Sequence, residues 1–232
     1  MTTVYDAAEH ARLELLHPPN WCNPTPTARY DLVILGGGTT GLVAAHEAAA
    51  LGMKVALVER QLLGGNCLNI GCIPSKALIR TSRLYAEMRN AEHFGAQSPA
   101  DIRVDFAAIM QRMRNIRVRI SRISSVHDLV AAGVHVFFGN AQFIGPDALQ
   151  LDGVTLRFRK ALVATGAQPE LPSIDGLDAA GYFTNANVFD LTELPRRLLV
   201  IGGGPLGCEM AQAFCRFGAQ TTIVQHWPLF LP

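Results

Sequence analysis

Two cysteines, Cys67 and Cys72, lie five residues apart in a segment rich in glycine, asparagine and proline. A predicted helix follows them, with Lys76 in its first turn. A thiolate near a helix N-terminus is favoured by the local positive potential, and the lysine adds to that potential. Two thiols at this spacing can close a small disulfide ring, so we predict a redox-active pair. The alternatives are two buried, unreactive cysteines or a metal site, which would need further ligands at short spacing.

A glycine-rich turn at 36–41 precedes the cysteines and lies between an apolar run at 31–35 and a predicted helix at 42–51. In such a Gly-x-Gly-x-x-Gly turn, the glycines permit a sharp bend, close backbone approach to a pyrophosphate, and tight packing of helix on strand. The N–H groups that begin the helix favour phosphate, and an acid that ends the next strand can accept from a ribose hydroxyl. The predicted nucleotide-binding residues here are Gly36, Gly38, Thr40, Gly41 and Glu59.

The same pattern returns 166 residues later, with Gly202, Gly204 and Gly207 in a second turn. Such an internal repeat predicts two nucleotide sites. Gln225 stands where the first unit has Glu59. A carboxylate there would repel the 2′-phosphate of NADPH, and an amide removes that repulsion. We therefore expect the second site to favour NADPH or to show no strong preference over NADH.

The elements around the turns are typical of an α/β protein. We predict two Rossmann-like units (three-layer ββα), the second one incomplete. Short, nearly continuous apolar runs predict buried parallel strands, which lie at 31–35, 54–59, 197–201 and 220–225. A helix at 208–217 connects the two strands of the second unit.

The segments outside the two repeats are predicted less regularly. We expect a loop over 65–75, a helix over 76–91 and one long helix over 106–132. Short strands are predicted at 134–138, 142–144, 148–151, 155–158 and 161–163. The long helix carries five arginines, expected to form a solvated face: Arg112, Arg114, Arg117, Arg119 and Arg122. Residues 1–29 look like an appendage with a short helix over 7–16.

Composition excludes several classes of protein. The chain of 232 residues is 49% hydrophobic and 17% charged, which argues against disorder. The net charge of +1 gives no attraction to nucleic acid, and apolar runs are too short for a membrane span. Five unevenly spaced cysteines do not form a secreted disulfide framework. We expect a cytoplasmic protein without a signal peptide, a membrane partner, a nucleic-acid partner or a resident metal.

Taken together, the motifs resemble those of the flavoprotein disulfide reductases. The resemblance rests on both glycine turns, on the run Gly-Gly-Asn-Cys-Leu-Asn-Ile-Gly-Cys-Ile-Pro-Ser-Lys at 64–76, and on Ala-Thr-Gly at 164–166. It covers 30–232 and is nearest to the mercuric reductase-like and dihydrolipoamide dehydrogenase-like branches. It implies FAD at the first turn and NAD(P)H at the second. The further cofactor-binding residues that it implies are Gly65, Asn66, Cys67, Lys76, Thr165 and Gly166.

The resemblance also implies roles in electron transfer. Cys72 would be the thiolate that faces the flavin, and Cys67 the thiol that meets the substrate. Lys76 and Glu209 would meet beside the flavin ring, where a buried lysine would stabilise negative charge and the glutamate would be its counter-charge. The substrate would be a disulfide, or Hg(II) held by two soft thiolates.

The resemblance divides the chain into an extension (1–29), an FAD-binding domain with the cysteines (30–170) and the start of an NAD(P)-binding domain (171–232). The family's acid–base pair, a histidine with glutamate five residues later, has no counterpart in this sequence. We therefore expect an N-terminal fragment of a homodimeric parent, with low or no disulfide reductase turnover by itself. A non-catalytic flavin- or nucleotide-binding module is the alternative.

Overall fold

The protein is described by a computed structural model that covers residues 6–99, 101–226 and 228–231, so the first five residues of the predicted extension lie outside the described residues. The chain divides into two compact units. The first-turn unit, which contains the first glycine turn, combines Tyr5–Asn69 with Arg117–Tyr182. The second-turn unit, which contains the second glycine turn, combines Ile70–Ile116 with Phe183–Pro232.

Eight strands and eight α-helices are found within the described residues. The strands are β1 (Tyr30–Leu35), β2 (Val55–Glu59), β3 (His135–Phe138), β4 (Ala141–Gly145), β5 (Ala148–Leu151), β6 (Val154–Val163), β7 (Arg197–Ile201) and β8 (Gln220–Val224). The helices are α1 (Ala7–Leu16), α2 (Thr39–Ala50), α3 (Gly65–Ile70), α4 (Cys72–Arg89), α5 (Phe106–Ser121), α6 (Val126–Ala131), α7 (Leu177–Ala180) and α8 (Pro205–Phe217). Short 3₁₀ turns lie at Ala91–Phe94, Arg122–Ser124 and Val188–Asp190.

The first-turn unit is built on a six-stranded sheet with the order β3-β2-β1-β6-β5-β4. The strands β3, β2, β1 and β6 are parallel, whereas β4 and β5 continue the sheet antiparallel. The central strands are apolar because both faces are covered: Val33, Ile34, Ala56 and Leu57 are fully buried. The predicted α/β class with a largely parallel sheet is confirmed.

One strand of this sheet differs from its prediction. The sequence indicated two short strands at 155–158 and 161–163, whereas β6 runs without a break over ten residues. Its first part pairs antiparallel with β5 and its second part pairs parallel with β1. The polar residues Arg159 and Lys160 interrupt the apolar pattern without interrupting the strand, because both are exposed.

The N-terminal extension is not an appendage. Helix α1 has the predicted bounds, but Glu9, Arg12 and Leu16 are buried in the first-turn unit. Asn23 pairs with the backbone of Phe138 at the edge of the sheet through two hydrogen bonds of 2.8 Å. The extension therefore covers the exposed edge of β3, a common protection against edge-to-edge association.

The second-turn unit contains a parallel βαβ unit formed by β7, α8 and β8. Both strands expose alternate residues, so their predicted burial is wrong. The core of the second-turn unit combines Phe214 and Phe217 of α8 with Leu78 of α4 and Met110 of α5. By packing, α4 and the first part of α5 therefore group with the second glycine turn, although both lie within the predicted FAD-binding domain. The cofactor-binding domain boundaries stay a prediction.

Two helical predictions are wrong. The predicted loop at 65–75 is helical: α3 covers Gly65–Ile70 and α4 begins at Cys72. The predicted helix over 106–132 is interrupted, because Ser125 is extended and caps α6 by accepting from the Asp128 N–H.

The predicted arginine face is also wrong in part. Arg114 and Arg117 are 7% and 3% exposed, whereas the other three arginines of the set are exposed. Among the residues that the structure describes, none of the helices has the length and apolar character required to cross a bilayer.

Candidate functional site

The first glycine turn is possible only with glycine at two of its positions. Gly36 has φ +105°, a conformation that side-chain-bearing residues rarely adopt. A Cβ on Gly41 would lie 1.8 Å from the carbonyl oxygen of Gly36, so the start of α2 packs directly on the end of β1. These are the bend and the close helix–strand packing that the sequence predicted.

The turn is open at Gly38, the N-cap of α2. A Cβ there would make only an ordinary contact, 3.7 Å from Gly65 Cα. Glycine has no side chain to cap the helix, so the first N–H groups of α2 are available to an anion. Thr40 lies exposed in this first turn. The arrangement fits a pyrophosphate.

Glu59 closes the same turn from the end of β2. Its Oε2 accepts from the Gly37 N–H at 2.7 Å, and its Oε1 accepts from the Gln61 N–H at 2.8 Å. A carboxylate has about four lone-pair sites, so both oxygens retain acceptor capacity for a ribose hydroxyl. Glu59 thus has a structural role in addition to its predicted binding role.

The segment that leads to Cys67 is attached to the glycine turn. The Gly64 N–H donates to the Gly37 carbonyl at 2.8 Å, and a Cβ on Gly65 would lie 2.6 Å from Gly38 Cα. Asn66 Nδ2 donates to the Ala167 carbonyl at 2.7 Å, directly after Thr165 and Gly166. The structure therefore brings together the three predicted FAD-binding segments of the first-turn unit.

A cavity of about 390 Å³ opens beside these segments, a size typical of small-molecule sites. Gly36, Glu59, Thr165 and Gly166, all predicted cofactor residues, contribute to its lining. Arg60 and Asn140 also line it and were not predicted. The open glycine turn, the uncapped helix and this cavity fit the nucleotide part of FAD.

The two cysteines occupy helical positions. Cys67 lies within α3 and is half-buried, whereas Cys72 is the first residue of α4 and carries an exposed thiol. Gly71, the N-cap of α4, leaves the first N–H groups of that helix uncapped, and such groups favour a thiolate nearby. The redox pairing of the two sulfurs stays a prediction.

Lys76 and Glu209 meet, as predicted, although they are far apart in the sequence. Lys76 Nζ lies 2.7 and 2.8 Å from the two carboxylate oxygens of Glu209. The side chains are 59% and 32% exposed, so the expected burial of the lysine is wrong for this chain. An ion pair with this exposure contributes little to stability. Its predicted role beside the flavin stays a prediction.

The second glycine turn repeats the geometry of the first. Gly202 has φ +107°, and a Cβ on Gly207 would lie 2.2 Å from the Gly202 carbonyl oxygen. The Gly203 N–H donates to Gln225 Oε1 at 2.8 Å. Gly204 is the N-cap of α8 and leaves the first N–H groups of that helix uncapped. The turn therefore fits a second pyrophosphate.

Four polar residues of the first-turn unit were not predicted as site residues: Glu9, Arg12, Asn69 and Arg117. They form a buried polar cluster within the first-turn unit. The sequence signal that could have indicated this cluster was the spacing of Glu9 and Arg12, which lie three residues apart on a predicted helix. The described part of the chain contains no group of three or more His, Cys, Asp or Glu side chains suited to a metal ion.

Residues 30–232 match the pyridine nucleotide-disulphide oxidoreductase family, and the chain belongs to it. Proteins of this family use FAD and NAD(P)H. The assignment agrees with two glycine turns on parallel strands and with the cysteine segment attached to the first of them.

The similar proteins include enzymes with different substrates. The chain is 40% identical over 212 residues to dihydrolipoyl dehydrogenase of Zymomonas mobilis, covering 88% of this chain and 44% of that protein. It is 33% identical over 197 residues to mercuric reductase of Bacillus cereus, covering 85% of this chain and 31% of that protein. The HOCl-induced flavoprotein disulfide reductase RclA from Escherichia coli has a similar structure, with a TM-score of 0.73 and 33% identity, over 88% of this chain and 43% of that chain. The chain thus spans less than half the length of each.

Proposed function

We propose that the chain is the cofactor- and disulfide-bearing part of an FAD-dependent reductase that takes electrons from NAD(P)H. The observation that carries this proposal is the attachment of the cysteine segment to the first glycine turn. Gly64 is hydrogen-bonded to Gly37, and Asn66, next to Cys67, is hydrogen-bonded to Ala167. A flavin held by the turn would therefore be held by the same backbone that carries the first cysteine.

The binding roles follow from the free hydrogen-bonding groups of each turn. The N-terminus of α2 and Gly38 would take the FAD pyrophosphate, and Glu59 would accept from the adenosine ribose. The N-terminus of α8 and Gly204 would take the pyrophosphate of NAD(P)H. When bound, FAD supplies the two-electron transfer between the nicotinamide and the cysteine pair.

The cysteines would carry the electrons to the substrate. A Cys67 thiolate attacks the substrate disulfide and forms a mixed disulfide while one substrate thiol leaves. The Cys72 thiolate then attacks Cys67, so the second substrate thiol leaves and a Cys67–Cys72 disulfide remains. Two electrons and two protons have then passed to the substrate. An Hg(II)-type substrate would instead be held by both soft thiolates.

The exposed Lys76–Glu209 pair would supply charge near the flavin, with Glu209 holding the ammonium of Lys76 in place.

We place the parent protein in the cytoplasm as a homodimer that acts on a small-molecule or disulfide substrate, without nucleic-acid or membrane partners. The uneven cysteine spacing supports the compartment, and the low net charge supports the absence of a nucleic-acid partner.

The experiment is a set of assays on purified protein with bound FAD, without substitution and with Cys67→Ser or Cys72→Ser. We expect both variants to retain FAD and NAD(P)H-driven reduction of an artificial dye, which needs no cysteine. NAD(P)H-driven reduction of the Cys67–Cys72 disulfide should occur in the unsubstituted protein. Loss of dye reduction with FAD retained would instead favour a non-catalytic flavin-binding module.

A further inference from the structure

A buried polar cluster holds the end of the helix that carries Cys67, and the proposed electron path does not use it. The cluster consists of Glu9 and Arg12 of α1, Asn69 of α3 and Arg117 of α5. Each residue is at most 8% exposed. Buried charges need close partners because their removal from water is costly. Within the first-turn unit, the cluster therefore connects α1, the end of α3 and the last part of α5.

The contacts converge on Asn69. The guanidinium of Arg12 donates to Asn69 Oδ1, and Arg117 donates to the backbone carbonyl of Asn69 at 3.1 Å. Asn69 Nδ2 donates to the carbonyls of Leu63 and Gly65, both at 3.0 Å. The side-chain oxygen, the side-chain nitrogen and the backbone carbonyl of Asn69 are therefore all hydrogen-bonded, and these four hydrogen bonds hold the residue in place.

Glu9 orients the arginine that reaches Asn69. Its carboxylate accepts from Arg12 Nε at 3.0 Å and also from Arg12 Nη2, which leaves Nη1 for Asn69. This two-point pairing fixes the plane of the guanidinium. The same carboxylate lies 3.6 Å from Arg117 Nη2, so one acid stands between two arginines.

We infer that Glu9 and Arg12 are positioning residues for the redox-active segment. In the sequence Asn69 lies between Cys67 and Cys72, so a fixed Asn69 restricts the stretch of chain that must close the disulfide ring. A restricted stretch loses less conformational entropy on closure, which favours the disulfide over the dithiol. The inference rests on the proposed function, because it takes Cys67 and Cys72 as the redox pair.

The test measures the equilibrium between dithiol and disulfide in the 232-residue protein, independently of any turnover. The protein is equilibrated in glutathione redox buffers, quenched with acid, alkylated and analysed by mass spectrometry. Arg12→Met removes the donor to Asn69 but leaves Glu9 beside Arg117. We expect it to lower the equilibrium constant for disulfide formation about tenfold, equal to about 30 mV for a two-electron couple.

Glu14→Gln is the matched control, since Glu14 is exposed on the same helix. It should leave the equilibrium constant unchanged. Arg12→Lys keeps the positive charge but cannot form the fork with Glu9 while donating to Asn69. We expect a loss of about threefold, and this variant decides the question if Arg12→Met does not fold. A melting curve for each variant separates general destabilisation from the redox effect.

The outcomes distinguish the inference from the function on which it rests. If the unsubstituted protein forms no Cys67–Cys72 disulfide in any buffer, the proposed function is wrong. If it forms the disulfide and the folded Arg12 variants keep its equilibrium constant within twofold, the proposed function stands and the positioning role is overturned.

Discussion

In both glycine turns, one glycine N–H donates a hydrogen bond to a side chain at the end of the strand that follows the helix. The donor is Gly37 in the first turn and Gly203 in the second. The acceptor is the Glu59 carboxylate in the first turn, at 2.7 Å, and the Gln225 amide oxygen in the second, at 2.8 Å. The turn therefore requires an acceptor at this place but not a negative charge. The two turns differ in the charge of this acceptor, which we propose discriminates between nucleotides.

The two turns also differ in the second hydrogen bond that Glu59 and Gln225 each make. Glu59 accepts a further hydrogen bond from the Gln61 N–H, whereas Gln225 donates through Nε2 to the Leu229 carbonyl at 3.3 Å. An amide can do both because it carries an acceptor and a donor. Gln225 thus makes the hydrogen bond to Gly203 without placing a carboxylate at this position.

The largest expected effect is the loss of stability on substituting the glycines that each turn needs for folding, as opposed to those expected to lie against a cofactor. Gly41→Ala and Gly207→Ala would place a Cβ within 1.8 and 2.2 Å of a backbone oxygen. We expect each to lower the free energy of unfolding by about 3 kcal/mol, the upper range for overpacking. Chemical denaturation followed by circular dichroism measures this.

Gly38→Ala and Gly204→Ala are the matched controls for those two variants. Their φ values of −78° and −73° suit alanine, and among the described residues an added Cβ would make no contact closer than 3.7 Å. We expect unchanged stability but at least tenfold weaker binding of FAD and NAD(P)H respectively. Equal destabilisation by all four variants would contradict the division of roles.

Exchanging the two closing side chains tests the role of charge. Gln225→Glu keeps the acceptor for Gly203 but restores a carboxylate, so binding of NADPH should weaken about tenfold while binding of NADH is retained. Isothermal titration with both nucleotides measures the ratio. Weakening of both nucleotides to the same extent would show that the amide has another role.

The reverse exchange, Glu59→Gln, should keep the first turn folded, because the amide oxygen can still accept from Gly37. We expect FAD to bind several-fold more weakly, since the ribose loses a charged acceptor. Flavin release on dilution measures this. A melting temperature lowered as strongly as by Gly41→Ala would mean that the charge itself is required for folding.

The Lys76–Glu209 pair distinguishes the second turn from the first, which has Val43 at the matching position. Glu209→Ala should slow reduction of bound flavin by NAD(P)H several-fold and weaken nucleotide binding far less. Its effect on stability should stay within about 1 kcal/mol because the pair is largely exposed. Stopped-flow absorbance gives the rate, with Glu209→Gln as the control that keeps the shape but removes the charge.

The smallest expected effect is a change in the free energy of unfolding at alkaline pH, caused by Tyr30 of the first-turn unit. Burial raises the pKa of Tyr30 above the ordinary tyrosine value, although hydrogen bonds from Thr27 oppose the shift. The folded protein therefore holds the Tyr30 proton more tightly than the unfolded chain does. The contribution of Tyr30 to the free energy of unfolding is complete below the unfolded pKa of about 10 and is lost as pH rises from there through the higher folded pKa. The unfolding free energy of Tyr30→Phe should fall less above pH 10 than that of the unsubstituted protein.

The sequence was sufficient for the local elements whose patterns are short and strong. The apolar runs predicted the positions of β1, β2, β7 and β8 within a residue or so. The expected burial holds for β1 and β2, which need continuous apolar residues because both faces are covered, whereas β7 and β8 each expose alternate residues. The 166-residue repeat predicted that Gln225 replaces Glu59, and the hydrogen bonds of the two turns correspond in the same way. The meeting of Lys76 and Glu209 followed from family resemblance, since no local pattern connects them.

The sequence was insufficient where distant contacts override local preference. Glycine and proline at 65–75 indicated a loop, yet Asn69 is held by four hydrogen bonds that stabilise α3. Arg117 reads as one of five solvated arginines until Glu9 and Asn69 are seen beside it. The N-terminal helix was predicted as part of an appendage for the same reason, because Asn69, the hydrogen-bond partner of Arg12, lies more than fifty residues away in the sequence.

We propose that NAD(P)H reduces a Cys67–Cys72 disulfide through FAD bound at the first turn. The most direct test of this claim is differential alkylation of the FAD-loaded protein before and after anaerobic addition of NADPH or NADH, read by mass spectrometry. Cys22, Cys208 and Cys215 serve as internal references. We predict that Cys67 and Cys72 resist alkylation at first and become labelled together after the nucleotide is added, while the references do not change. Equal labelling of Cys67 and Cys72 before and after addition would contradict the claim.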